Sequence, residues 1–436
     1  MPRFRSSCFL LCQLLAISLT ADLAEQEYLG KFQLVAAPPL PPKPIIHRGD
    51  RLAICGDSIT EQKLYSRIIE TYLTVCTPEL NLDIRQYGWS GETAEGFLHR
   101  MTNDVLRFNP SVATTCYGMN DHRYVPFKPE IGEHYRQTMS GVVESFQSHG
   151  VRVVLGSPGC VGKMPSWVKS ATGTVFDLNA NLCQLRNIDI ELSRSLHTAS
   201  FADVFSPMLT AEYEAHLYYG PDYAVPGKDG VHPGLAGQAI MAYSFLRGLG
   251  VDGDIGTIIF NAGKGRASGT PGHKIISTSA TSVMVESSRF PFCAPGSSAT
   301  DDSIRSGFQW VPFQAQLNRF KLVVQGASSP SYQVTWGPVS KIYSAEQLKA
   351  GINLTEEFAM TPFDDAFARV DQAVAAKQAY ETQQIKGEFH GEAGRKDMEA
   401  TARTTEATRA PIAAAVKAAF APVRHELVIE PITKQL

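Results

Sequence analysis

Residues 54–62 read ICGDSITEQ. An apolar run, RLAIC at 51–55, ends in Gly-Asp-Ser, and a helix-like run begins almost at once. A serine at a strand-to-helix junction has three readings. It caps the helix with its hydroxyl, it belongs to a phosphate-binding loop, or it is a nucleophile. The phosphate reading fails, because no G-x-x-x-x-G-K-[ST] is present. The glycine-rich NAGKGRASGTPG at 261–272 fits neither phosphate template and reads as a loop. Taken alone, Ser58 reads as a cap, with Thr60 an equal candidate, since a serine nucleophile needs partners elsewhere in the chain.

Outward from this junction, short apolar runs alternate with longer amphipathic ones. The strand candidates are RLAIC, NLDIRQY, SVATTCY, VRVVLG and TASFADV, and helix candidates lie at 62–76, 93–107, 129–149, 173–196 and 234–248. Strands separated by helices predict an α/β fold with a parallel sheet covered on both faces. Such sheets build ligand sites at the carboxyl ends of their strands.

The partners a nucleophile requires are present. KDGVHPG at 228–234 places Asp229 and His232 three residues apart in a loop before the 234–248 helix. A histidine serves as the base, and an acid fixes its tautomer. YGWSGET at 87–93 follows the second strand, and its Gly91 offers an unobstructed backbone N–H. YGMNDH at 117–122 follows the third, and Asn120 offers a side-chain amide. Donors of this kind stabilise a developing oxyanion. Each piece alone has a plainer reading: a turn aspartate, a surface histidine, turn glycines, an Asx turn. The Ser58, Gly91 and Asn120 segments each lie directly after a strand candidate, on the one edge where such a sheet builds sites, and that joint placement favours a site.

Gly56-Asp57-Ser58, the glycine of WSGET, GMND and DGVH resemble, in order, the four signature blocks of the SGNH, or GDSL, hydrolase superfamily, over residues 45–250. The resemblance implies a flavodoxin-like three-layer α/β/α sandwich and esterase-type chemistry. It makes Ser58 the nucleophile, His232 the base and Asp229 its orienting acid. The oxyanion hole becomes the N–H of Ser58, the N–H of Gly91 and the side chain of Asn120. Asp57, bonded to nearby backbone or loop groups, and His122, facing the cleft, are the candidate substrate-binding residues. No metal or cofactor is implied. The partner is an ester, with an O-acetylated glycan the first expectation, and lipase, arylesterase or thioesterase activity the alternative. A different class, a glycan-binding protein on a hydrolase scaffold, is disfavoured by the complete Ser58, Asp229 and His232 set.

Hydrophobic residues make up 44% and charged residues 19%, an ordinary globular balance, and a formal charge of −3 without a basic run argues against nucleic acid. MPRFRSS, then CFLLCQLLAISL, then small residues, is the order of a secretory signal peptide, assigned to 1–24, so the chain is expected to be secreted or periplasmic. No later run approaches the ~20 apolar residues of a membrane span. Residues 25–44 form a proline-rich, exposed lead-in. Beyond the signal lie Cys55, Cys76, Cys116, Cys160, Cys183 and Cys293. Cys55 and Cys116 read as buried thiols, and Cys160 and Cys183 as candidates for pairing. No cysteine or histidine spacing fits zinc.

Residues 251–343 read as a small β-rich module or an insertion, with HKIIST, SVMVESS, FKLVVQG and YQVTWG as strands, and 344–436 as helical. Phe363, Phe367, Val370 and Val374 form one apolar helix face. The 396–420 stretch reads as another helix bounded or kinked by Pro411 and Pro422. Phe290, Phe292, Trp310, Arg319 and Trp336 are either module core or a sugar-binding surface. Asn353-Leu354-Thr355 matches a glycosylation sequon.

Overall fold

The computed structural model describes residues 25–169 and 172–432. The signal-peptide reading falls on residues outside that range. Five strands, β1 (Arg51–Gly56), β2 (Asp83–Gly88), β3 (Val112–Cys116), β4 (Arg152–Gly156) and β5 (Ser200–Ala202), form one parallel sheet in the order β2-β1-β3-β4-β5. That is the doubly wound, flavodoxin-like order, with its switch point between β1 and β3. Within β1, Leu52 and Ile54 join one buried cluster while Ala53 and Cys55 join another. A strand covered on both faces needs apolar residues in both phases of its alternation, and RLAIC supplies them.

The α-helices between and after these strands are α1 (Ser58–Glu61), α2 (Tyr65–Cys76), α3 (Ala94–Asp104), α4 (Pro129–Ser148), α5 (Val175–Ser195), α6 (Phe205–Tyr219) and α7 (Leu235–Gly248). The sequence reading passed over α6. Its Phe205, Met208, Leu209, Glu212 and Ala215 are all buried, a helical period partly hidden by the charged member. The proline-rich lead-in is largely exposed, although Arg186 and Asn187 of α5 bond the carbonyls of Val35 and Gln33.

After α7 the chain builds two more sheets. One is four-stranded, and its strands are β6 (Asp254–Asn261), β7 (Arg266–Gly269), β10 (Arg319–Gln325) and β13 (Ile352–Asn353). The other is antiparallel, in the order β12-β11-β14-β9-β8, from β8 (His273–Thr278), β9 (Ser282–Ser287), β11 (Ser331–Trp336), β12 (Val339–Ser344) and β14 (Val423–Pro431). Two sequence expectations are corrected here. NAGKGRASGTPG is a hairpin rather than a loop, since Ile258 to Asn261 pair with Gly269 to Arg266. The region after 344 is not all helical, because β14 lies in the middle of the antiparallel sheet. Its His425, Leu427 and Ile429 alternate into the core, a period of two that marks a strand.

The helices α8 (Asp364–Thr382) and α9 (Met398–Ala419) lie against the edge strand β2. Pro411 sits inside α9 without ending it. The lost bond to Ala407 is offset by anchoring: Arg409 bonds Glu381, Asp83 and the carbonyl of Ile84. Gln86 N–H donates to Glu381, and the Ile84 carbonyl also accepts from Lys377. Side chains thus satisfy an edge that would otherwise invite pairing with another chain. Phe363, Phe367, Val370 and Val374 are buried as read, Phe363 stacking on Phe290 at 5.2 Å and Phe367 meeting Phe292 at 4.7 Å. Phe290, Phe292 and Trp336 are therefore core. Tyr72 of α2 packs on Phe292 and Phe313, so one apolar core runs from beneath the parallel sheet into the later part of the chain.

Candidate active site

β1 turns into α1 at Gly56. A Cβ there would lie 2.1 Å from Thr60 Oγ1 and 2.9 Å from the Cys116 carbonyl, so the turn admits no side chain. The cap of α1 is Asp57, whose Oδ1 accepts the Ile59 N–H at 2.9 Å, and Thr60 bonds Tyr65 instead. Neither Ser58 nor Thr60 caps the helix, and the Ser58 hydroxyl is left for other work. As the first helical residue, Ser58 also has an N–H without an acceptor inside its helix.

The loop between α6 and α7 brings His232 to that hydroxyl. His232 Nε2 lies 2.8 Å from Ser58 Oγ, and His232 Nδ1 lies 2.8 Å from Asp229 Oδ2. The other Asp229 oxygen accepts the N–H groups of Val231, at 2.9 Å, and His232, at 2.8 Å. Burial alone would raise the Asp229 carboxyl, but these N–H groups and the His232 ring outweigh it and hold the pKa below the ordinary value. The loop must turn sharply at Gly227, where φ is 93° and a Cβ would meet the His232 carbonyl at 1.8 Å. Trp167, 47% exposed, lies with its ring 5.6 Å from that of His232, and nothing in its own sequence neighbourhood announces it.

Register sets the ends of β2 and β3 level with the end of β1: Gly56 pairs with Gly88 at the end of β2 and with Cys116 at the end of β3. Gly91 and Asn120 follow those two ends. The Asn120 amide donates to the Glu92 carbonyl at 2.9 Å, which uses one of its two N–H groups. Asp121 accepts the N–H groups of Ala94 and Gly118, both at 3.0 Å, tying the two loops together. Glu92 itself is gripped by Arg100 at 2.5 and 2.7 Å and by the Tyr117 hydroxyl at 2.9 Å. The sequence reading did not single out Glu92 or Arg100, because nothing local marks a buried ion pair.

Two candidates for substrate contact lie elsewhere. His122 is fully buried, with Nδ1 on the Met119 carbonyl, and burial pushes its pKa down to about 4. Its ring lies 4.5 Å from that of Tyr124, tilted by 57°, and is buried rather than facing a cleft. Asp57 is 3% exposed and occupied as the cap. Burial pushes its pKa up to about 7, against the Ile59 N–H and with help from the charges of Asp121 and Glu92. A proton held so firmly in the fold favours folding at low pH. That advantage is complete below the unfolded carboxyl's range and disappears as pH rises to about 7. Asp57→Asn keeps a capping oxygen and removes this titration. Its melting temperature should therefore fall less steeply than the parent's between about pH 4 and 7. Equal slopes in thermal scans across that range would contradict this assignment of the proton.

All six described cysteines are free and buried, so Cys160 and Cys183 do not pair. Among the described residues no group of three or more His, Cys, Asp or Glu side chains is placed to hold a metal ion, and no helix is long and apolar enough to cross a membrane. The sequon residue Asn353 has its amide nitrogen on the Gln314 carbonyl and its oxygen on the Phe320 N–H.

Comparison with known proteins bears on residues 54–240, which match the GDSL-like lipase/acylhydrolase family. Among solved structures, a gut microbial diltiazem-metabolizing enzyme covers 92% of this chain and 100% of its own, at a TM-score of 0.68 and 20% identity. An acetylxylan esterase from Geobacillus stearothermophilus, a catalytic mutant, covers 47% of this chain and 96% of its own, at a TM-score of 0.39 and 21% identity. An α/β hydrolase from the metagenome of Lake Arreo, Spain, covers 47% and 97%, at 0.38 and 20%. The first of these shares the fold beyond residue 250. No curated protein matches the chain.

Proposed function

We propose, from the match of residues 54–240 to the GDSL-like lipase/acylhydrolase family, that the protein is an exported serine esterase that removes acetyl groups from carbohydrate. The observation that carries the esterase reading is the unbroken line Ser58–His232–Asp229, with both contacts at 2.8 Å. Ser58 Oγ attacks the ester carbonyl as His232 Nε2 takes its proton. Asp229 keeps the Nδ1–H tautomer in place and balances the imidazolium that forms. The oxyanion is held by the N–H groups of Ser58 and Gly91 and by the Asn120 amide, each lowering the barrier by about 3–4 kcal/mol. His232 then protonates the leaving alcohol. Water, deprotonated by the same ring, cleaves the acyl-enzyme and restores Ser58.

Exposed aromatic rings favour a sugar as the alcohol. Trp167 borders His232, and Tyr218 and Tyr219, 78% and 44% exposed, flank Trp310 at the end of the helix that leads into the catalytic loop. Such rings pair a flat apolar face with a polar tip, the combination a pyranose presents in return. The signal-like N-terminus points to an extracellular or periplasmic polymer. Acetate release from O-acetylated oligosaccharides should exceed hydrolysis of long-chain acyl esters. Trp167→Ala should raise KM for the oligosaccharide and leave that for p-nitrophenyl acetate unchanged. Preference for long acyl chains would overturn the carbohydrate assignment and leave the esterase chemistry standing.

A further inference from the structure

Gln383–Phe389 forms a π-helical turn after α8. Such turns are rare and concentrate at functional sites. Lys386, on this turn, donates from Nζ to both carboxylate oxygens of Glu61 at 2.8 Å. Glu61 closes the short helix that Ser58 opens, and its Oε2 accepts the Ser90 N–H at 2.5 Å. Ser90 immediately precedes Gly91. The Lys386 ammonium also lies 5.1 Å from the Trp89 ring, and His390 meets the same ring edge-on at 4.8 Å.

A second line of contacts begins at His390. Its Nε2 lies 2.8 Å from Asp104, which is fully buried and accepts from Arg100 at 3.3 Å. Arg100 grips Glu92, and the Glu92 carbonyl holds the Asn120 amide. Gly91 is thus bracketed at Ser90 and at Glu92 by two chains of contacts that both start in residues 386–390. Ser90 and Gly91 are themselves exposed, so packing does not fix them. An oxyanion donor works only where its N–H is aimed before the charge develops, and a small misplacement is costly.

We propose that Lys386 is a positioning residue for the esterase reaction: through Glu61 it fixes the Ser90–Gly91 peptide so that the Gly91 N–H is aimed at the oxyanion. His390 braces the Trp89 and Glu92 side of the same loop. The inference rests on the esterase reading above, and it makes the C-terminal helices part of the catalytic apparatus. A minimal hydrolase domain ending after α7 would lack this brace.

The test uses the full chain with p-nitrophenyl acetate as substrate, thermal melting as the control for folding, and a fluorophosphonate as the probe of Ser58. Lys386→Met should lower kcat by between about tenfold and the roughly 10²–10³-fold that outright loss of an oxyanion donor costs. KM and melting temperature should change little, and Lys386→Arg should restore most of kcat. Glu61→Gln, which keeps the size and an acceptor oxygen, reads the same link should Lys386→Met fold poorly. Combined with Lys386→Met it should add little further loss, because both act through one contact. An unchanged kcat in both single variants, or a kcat that arginine does not restore, overturns the positioning role. If the parent protein is labelled by the fluorophosphonate in that case, the esterase reading survives and only this inference fails. Absence of labelling in the parent overturns both.

Discussion

Replacing Ser58 with alanine is expected to lower kcat by about 10⁶-fold, the loss that follows removal of a serine nucleophile in other hydrolases. The fold should survive. The cap of α1 is Asp57, so no helix-end bond is lost, and the Ser58 side chain contacts His232 through Oγ. Residual catalysis of about 10³–10⁴-fold over water is expected from the oxyanion donors alone. The measurement is kcat on p-nitrophenyl acetate with a thermal melt of the same preparation. Activity within tenfold of the parent, in a folded variant, would remove Ser58 from the mechanism.

The next largest effect is expected at Asp229→Asn, at about 10⁴-fold in kcat. The reason lies in which oxygen does what. Oδ1 accepts the N–H groups of Val231 and His232, so an asparagine would keep its carbonyl oxygen there. Its NH₂ would then face His232 Nδ1, where Oδ2 now stands. The ring would answer by placing its proton on Nε2, pointing at Ser58, and could no longer take the serine proton. Substrate binding should change little, so the loss belongs in kcat rather than KM. A loss of less than about tenfold would mean that the carboxylate does not set the tautomer.

Much of the parallel sheet was legible because its signals are local. RLAIC followed by Gly-Asp-Ser carries the two-sided burial, the tight turn and the junction in eight residues, and the three blocks that follow strands mark the sheet edge where the site lies. The misses share one physical cause, which is that long-range contacts decided them. Strand β14 was hidden in a region with helical composition, and only the antiparallel partners β9 and β11 give its alternation meaning. Pro411 reads as a helix breaker until Arg409 is seen anchored to Glu381 and Asp83. His122 stands beside Asn120 in sequence, yet its backbone turn buries the ring on the Met119 carbonyl. The Lys386–Glu61 contact joins residues 325 positions apart, and no spacing rule reaches that far.

Most direct of all is mass spectrometry of the intact protein after exposure to a fluorophosphonate, followed by mapping of the modified peptide. The expected result is a single adduct on Ser58, absent from Ser58→Ala and slow to form in Asp229→Asn. A protein that takes up no adduct, or carries it on another serine, would contradict the account and favour a binding protein built on a hydrolase scaffold.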